Sequence, residues 1–246
     1  MYCRIFSGEN RQMGEHDHLK QKEFYMEKTG IIFDMDGTLW DSAANVAASW
    51  TEVLKEEYPV HPGITTPAMM AQMGKTMDKI AESLFPELSL DDALKLLDLC
   101  CERENEYLRA HGGNLYEKLE ETLAELKEKF PLYIVSNCQS GYIEAFLDHY
   151  AFWNYFEDIE CYGNNLKQKG ENIALIMERN ALNQAYYMGD IQADYDATME
   201  ADRIVSENGN RDRHVRFLHA AYGFGTIKQE VLEVLHFSDL PIVLDK

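Results

Sequence analysis

Between Tyr116 and Glu200 the sequence switches repeatedly between two periodicities, and this alternation limits the fold more than any other feature. Helical patterns at 116–129, 141–149, 170–179 and 193–200 are separated by the short runs LYIVS, DIECY and AYYMGD. Runs this short and this rich in β-branched and aromatic residues suit strands buried on both faces. Strands joined through helices lie parallel, with the helices covering both faces of the sheet. The predicted fold class is therefore α/β with a doubly wound parallel sheet. The run GIIF, beginning at Gly30, supplies its first strand.

One stretch breaks the alternation. From Asp41 the pattern DSAANVAASWTEVLKEEY is helical, with Asp41 at the cap and Val46, Trp50, Val53 and Leu54 on one face. Helical patterns continue over Thr66 to Met73, Met77 to Phe85 and Asp91 to Arg109 without a strand between them. Because α/β connections are normally short, a helical block of this length reads as an insertion. The expected organisation is a tail at 1–25, a core at 26–42 and 114–246, and an inserted small α-helical cap domain at 43–113. His111-Gly112-Gly113-Asn114 is the expected hinge. The polar tail holds His16 and His18, which read as solvated, and Met26 is a candidate natural start.

Lysine and arginine total 23 against 43 acidic residues, a formal charge of −20. Such a surface repels nucleic acid, and any anionic substrate needs a bound cation or placed lysines. No apolar stretch is long enough to span a membrane, and no secretory signal is visible. The five cysteines, in no metal-binding spacing, fit reduced thiols and a cytoplasmic location.

Ligands of a parallel sheet sit beyond the carboxyl ends of its strands. There the run IIF ends in Asp34-Met35-Asp36-Gly37-Thr38-Leu39, LYIV ends in Ser136-Asn137, and YYM ends in Gly189-Asp190, with Asp194 one helical turn on. A single aspartate after a strand is ordinarily a cap or turn former. Several converging on one sheet edge repel one another unless a divalent cation lies among them, and an all-oxygen site favours magnesium.

The motifs DMDGTL, Ser136, a downstream lysine and GDIQAD, in that order, resemble the four motifs of the haloacid dehalogenase superfamily, over about Gly30 to Gly225. The helical block resembles the small cap of its phosphoglycolate phosphatase-like and β-phosphoglucomutase-like members. The resemblance implies a Rossmann-like core and a Mg2+-dependent phosphatase acting on a small phosphorylated metabolite, as a monomer or homodimer. A phosphomutase is the alternative, and a phosphate-binding module without turnover lies behind it. By resemblance Asp34 is the nucleophile and Asp36 the general acid and base. Asp34, Asp190 and the main-chain carbonyl of Asp36 hold the metal. Ser136 and Asn137, with Gly37 and Thr38, contact the phosphoryl group.

The third-motif lysine is Lys169 or, as a fallback, Lys167, and Asp194 supports the metal waters or the lysine. Lys75, in the MGKTM turn between cap helices, is a candidate substrate contact. The passage DRIVSENGNRDRHVR after the fourth motif looks about ten residues longer than usual, with a turn at Asn208-Gly209. Its Arg211, Arg213 and Arg216 read as a solvated charge run.

Overall fold

The computed structural model describes residues 28–207 and 213–245. The 1–25 tail with His16 and His18, Met26, the Asn208-Gly209 turn and Arg211 lie outside the described residues.

Six parallel strands form the sheet: β1 (Thr29–Phe33), β4 (Leu132–Ser136), β5 (Phe156–Cys161), β6 (Gln184–Gly189), β7 (His214–Ala220) and β8 (Leu232–Val234), in the order β5-β4-β1-β6-β7-β8. β1 lies between β4 and β6, with Ile31 beside Leu132 on one flank and Tyr186 on the other. Strand order reverses there, so a crevice opens at the carboxyl end of β1.

Strand geometry sends alternate side chains to opposite faces. Ile32, Tyr133 and Tyr187 pack with Ile173 and Met177 of α8 (Lys169–Arg179) and with Ala201 of α9 (Gln192–Glu207). Ile31, Phe33 and Ile134 face the other way, toward Leu123 of α5 (Leu119–Lys127) and Phe146 of α6 (Tyr142–Tyr150). Each such fully buried side chain contributes about 1.5–3 kcal/mol.

The helical block comprises α1 (Ala43–Glu57), α2 (Thr66–Met70), α3 (Met77–Leu84) and α4 (Leu90–His111). α4 starts where the Ser89 hydroxyl accepts the Asp92 amide and stops at Gly112, whose φ is +67°. It packs against α1, α3 and α6, so the block rests on the core through one long helix. At its base the two connecting segments pair as an antiparallel ribbon, β2 (Trp40–Asp41) with β3 (Asn114–Leu115).

Several elements differ from the sequence expectation. The N-cap of α1 is Ser42 rather than Asp41, and Asp41 instead accepts the Ala43 amide at 3.0 Å. α5 begins at Leu119 rather than near Tyr116, because Lys118 takes a left-handed conformation with φ +58°. α2 ends at Met70, short of Met73. α9 runs on to Glu207, where Arg203 ion-pairs with Glu200 and Glu207, each at 2.7 Å. Much of the apparent insertion after the fourth motif is therefore helix. Arg213 donates to the carbonyls of Leu182 and Met177 beyond and within α8, so it holds main chain together rather than joining a solvated run. β8 and the short α10 (Leu240–Leu244) were not anticipated. Among the described residues, no helix is long and apolar enough to cross a membrane.

Candidate active site

The carboxyl end of β1 enters a tight turn. The Asp34 amide still donates to the Met188 carbonyl at 2.9 Å, keeping Asp34 in the sheet, while Leu39 and Thr38 amides fold back to the Met35 carbonyl. Gly37 has φ +83°, and a Cβ there would lie 2.1 Å from Asp190 Oδ2. Glycine is thus required twice over, by conformation and by the approach of the turn to the carboxylate that ends β6.

Lys169 is the first residue of α8, behind a capping box of Gln168 and Glu171. Gly170 next to it lets the start of α8 press on α9, since a Cβ would meet the Ala197 carbonyl at 2.9 Å. That packing brings Lys169 Nζ to 2.9 Å from Asp34 Oδ1 and 2.6 Å from Asp194 Oδ1, with all three side chains buried. The other oxygen of Asp194 accepts the amides of Asp190 and Ile191 at the start of the α9 turn. Asp190 Oδ2 accepts the Phe224 amide at 2.7 Å. Lys167 is exposed, and the structure does not bring it to this cluster.

Carboxylate oxygens of Asp34, Asp190 and Asp194 all lie within 4.8 Å of one another. Burial, only partly offset by Lys169, pushes the Asp34 carboxyl up to about 7, with Asp194 adding to the rise. Burial and the neighbouring Asp194 and Asp34 raise Asp190 to about 8. Burial works against the Lys169 charge, but Asp194 and Asp34 overcome it and hold the ammonium well above its ordinary range. More negative charge converges here than one lysine balances. An all-oxygen donor set under such repulsion fits a hard divalent cation.

Asp36 leaves the same turn into different surroundings. Its Oδ1 accepts the Ser42 hydroxyl at 2.6 Å and the Tyr142 hydroxyl at 2.7 Å, and these two hydroxyls lie 2.8 Å apart. Burial raises the Asp36 carboxyl above its ordinary value, against the lowering effect of both donors. Two aspartates separated by one residue are therefore differentiated, Asp34 in an ion pair and Asp36 between hydroxyls.

Ser136 is buried at the end of β4. Asn137 donates from Nδ2 to the Gly74 carbonyl at 3.0 Å, tying the loop between α2 and α3 to the core. Thr38 is buried, its carbonyl accepting the Tyr222 hydroxyl at 2.7 Å. Lys75 donates to Gln72 Oε1 at 3.0 Å and, with Asp36, Ser136 and Asn137, lines a cavity between the helical block and the sheet edge.

Three groups in or behind this cavity were not anticipated, Tyr142 and Glu104 lining it and Ser42 buried behind Asp36. Ser42 and Tyr142 carry no sequence signal beyond their positions at helix starts. Glu104 does carry one: it falls at helical spacing among Leu97, Cys100, Cys101 and Leu108, an acid inside an apolar stripe. It accepts the Trp50 indole N–H, and burial pushes its carboxyl up to about 8.

Comparison with known proteins identifies relatives of this chain. The family model described as haloacid dehalogenase-like hydrolase matches residues 31–204. A phosphoglycolate phosphatase of Vibrio vulnificus is 28% identical over 162 residues, 62% of this chain and 70% of that protein. Among solved structures, a predicted phosphatase from Clostridium acetobutylicum matches with TM-score 0.69 and 19% identity, covering 89% of this chain and 99% of that one. CbbY from Rhodobacter sphaeroides, solved in complex with phosphate, matches with TM-score 0.69 and 16% identity over 90% of this chain and all (100%) of that one.

Proposed function

Since this chain belongs to the haloacid dehalogenase-like hydrolases, we propose that it is a magnesium-dependent phosphatase that hydrolyses a small phosphorylated metabolite through an aspartyl-phosphate on Asp34. The observation that carries this reading is the separation of the two strand-end aspartates into an ion-paired one and a hydroxyl-held one. The named activity of the Vibrio relative supports a small phosphoester as substrate.

Asp34 Oδ attacks phosphorus, the P–O bond to the alcohol breaks, and the alcohol leaves with a proton from Asp36. The rise of Asp36 above the ordinary carboxyl range favours its holding that proton. Asp36, now ionised, then takes a proton from the water that attacks the phosphorus of the aspartyl-phosphate, releasing Asp34 and inorganic phosphate. Lys169 favours the ionised form of Asp34 beside an incoming dianion and neutralises charge on the phosphoryl oxygens. Ser136 and Asn137 donate to those oxygens, and the Gly37-Thr38 turn lies against them. Asp34, Asp190 and the Asp36 carbonyl would hold magnesium, with Asp194 fixing Lys169 and the Asp190 backbone. When bound, the ion supplies positive charge to the phosphoryl group and the carboxylates. The helices over residues 43–113 act as a cap that excludes water and shapes the leaving-group cavity.

Release of inorganic phosphate from a panel of phosphoesters, with and without Mg2+, tests this reading. Asp34→Asn keeps size and removes the nucleophile, so it should abolish turnover with the fold retained. Near-normal activity in that variant rules the aspartyl-phosphate mechanism out.

A further inference from the structure

Beyond the phosphoryl site, the cavity under the helical block contains a buried acid that the mechanism above leaves without a task. We propose that Glu104 reads the leaving group and that this group is a small uncharged alcohol bearing a further hydroxyl, not a carboxylate; the proposal rests on the phosphatase reading. Glu104 and Asp36 line the same cavity, and Asp36 is the group that meets the departing oxygen. Whatever lies beyond that oxygen, toward the block, comes up against Glu104.

Glu104 is 3% exposed, its carboxyl is held by the Trp50 indole N–H, and Gln139 lines the same cavity. The cavity around it is walled largely by apolar side chains, Met69, Met73, Met77 and Ile80. Such walls suit the C–H surface of a small carbon chain and leave one polar anchor at the buried end. A substrate hydroxyl satisfies that anchor in either protonation state, because it can donate to a carboxylate or accept from a carboxylic acid. A substrate carboxylate loses its hydration among these apolar walls whether or not Glu104 holds its proton, and against the ionised acid it also meets a like charge in a low-dielectric cavity. The one lysine lining the cavity, Lys75, is half-buried and engaged with Gln72, while the acid holds the buried end.

Two esters of nearly equal size separate these cases: 2-hydroxyethyl phosphate and phosphoglycolate, compared as kcat/KM with 4-nitrophenyl phosphate as a chromogenic third. The wild-type protein with Mg2+ should prefer the hydroxyl ester by at least about tenfold, the order of discrimination that one buried polar group gives. Glu104→Gln, which keeps shape and can still accept from Trp50, should narrow that ratio at least about fivefold, chiefly through KM. A wild-type preference for phosphoglycolate overturns the proposal, as does a ratio that Glu104→Gln leaves unmoved. If the variant does not fold, the wild-type ratio alone decides the substrate class. Turnover of none of the three esters by wild type instead overturns the phosphatase reading, and this proposal with it.

Discussion

The ammonium of Lys169 lies 2.9 Å from Asp34 Oδ1, and this contact joins the first residue of α8 to the residue that follows β1 at the sheet edge. Lys169→Met should lower kcat by at least about two orders of magnitude, equivalent to roughly 2.7 kcal/mol of transition-state stabilisation. It also leaves Asp34 and Asp194 buried without their cation, at about 3–5 kcal/mol unless they take up protons. Activity is therefore compared well below the melting temperature of the variant. Lys167→Met, altering an exposed side chain, should stay within about threefold of wild type. The reverse order of kcat values would move the third-motif role to Lys167.

Asp36→Asn should slow turnover by about 10²–10⁴-fold, and a loss below about tenfold removes Asp36 from proton transfer. Tyr142→Phe provides a finer probe. Burial raises the Asp36 carboxyl and the Tyr142 hydroxyl pulls it down, so losing that hydroxyl should raise it further. As the group that protonates the leaving oxygen, Asp36 sets the alkaline limb of kcat/KM, and that limb should move to higher pH in Tyr142→Phe. A shift to lower pH would contradict the assignment.

Asp190 ends β6 with one oxygen held by the Phe224 amide and the Gly37 turn against it. Asp190→Asn removes one anionic ligand without changing shape. The Mg2+ concentration giving half-maximal activity should rise at least about tenfold, with saturating metal restoring part of the rate. An unchanged Mg2+ titration would place the ion elsewhere.

Glu104 also makes stability depend on pH. Its folded value of about 8 lies above its ordinary 4.5, so the folded state binds the proton more tightly than the unfolded chain. The stability it contributes is fully present below about pH 4.5 and is lost as pH rises toward 8. Glu104→Gln should flatten this dependence. Near pH 8 the variant should melt at least about 3 °C higher relative to wild type than it does at pH 5. Parallel melting curves across that range would show that Glu104 is ionised in the folded protein at neutral pH.

Much of the site was legible in the sequence because strand ends are easy to locate. Asp34, Asp36, Ser136 and Asp190 follow short apolar runs, and parallel topology brings such positions to one edge. The lysine was not legible to the residue, since Lys167 and Lys169 differ only in which of them starts α8 and presses on α9 through Gly170. Ser42 and Tyr142 were hidden for a different reason. They meet Asp36 only because α6 packs beside the start of α1, a contact between segments a hundred positions apart along the chain. Glu104 interrupts an apolar stripe but is one acid among many in an acidic helix. β8, three residues reading LEV, is too short to carry any periodicity.

The place of β1 in the sheet has a further consequence for how the chain reaches this structure. Its partner β4 arrives only after the whole helical block has been synthesised, and β6 only after two further strand-helix units. The helices of the block close on local contacts and form early, whereas β1 pairs across large sequence separations and forms late. The strand that bears Asp34 is therefore among the last to be enclosed on the ribosome, and an apolar GIIF segment waits exposed until then. Mutations that weaken β6 should appear first as lower yield of folded protein, before any change in the chemistry of the molecules that do fold.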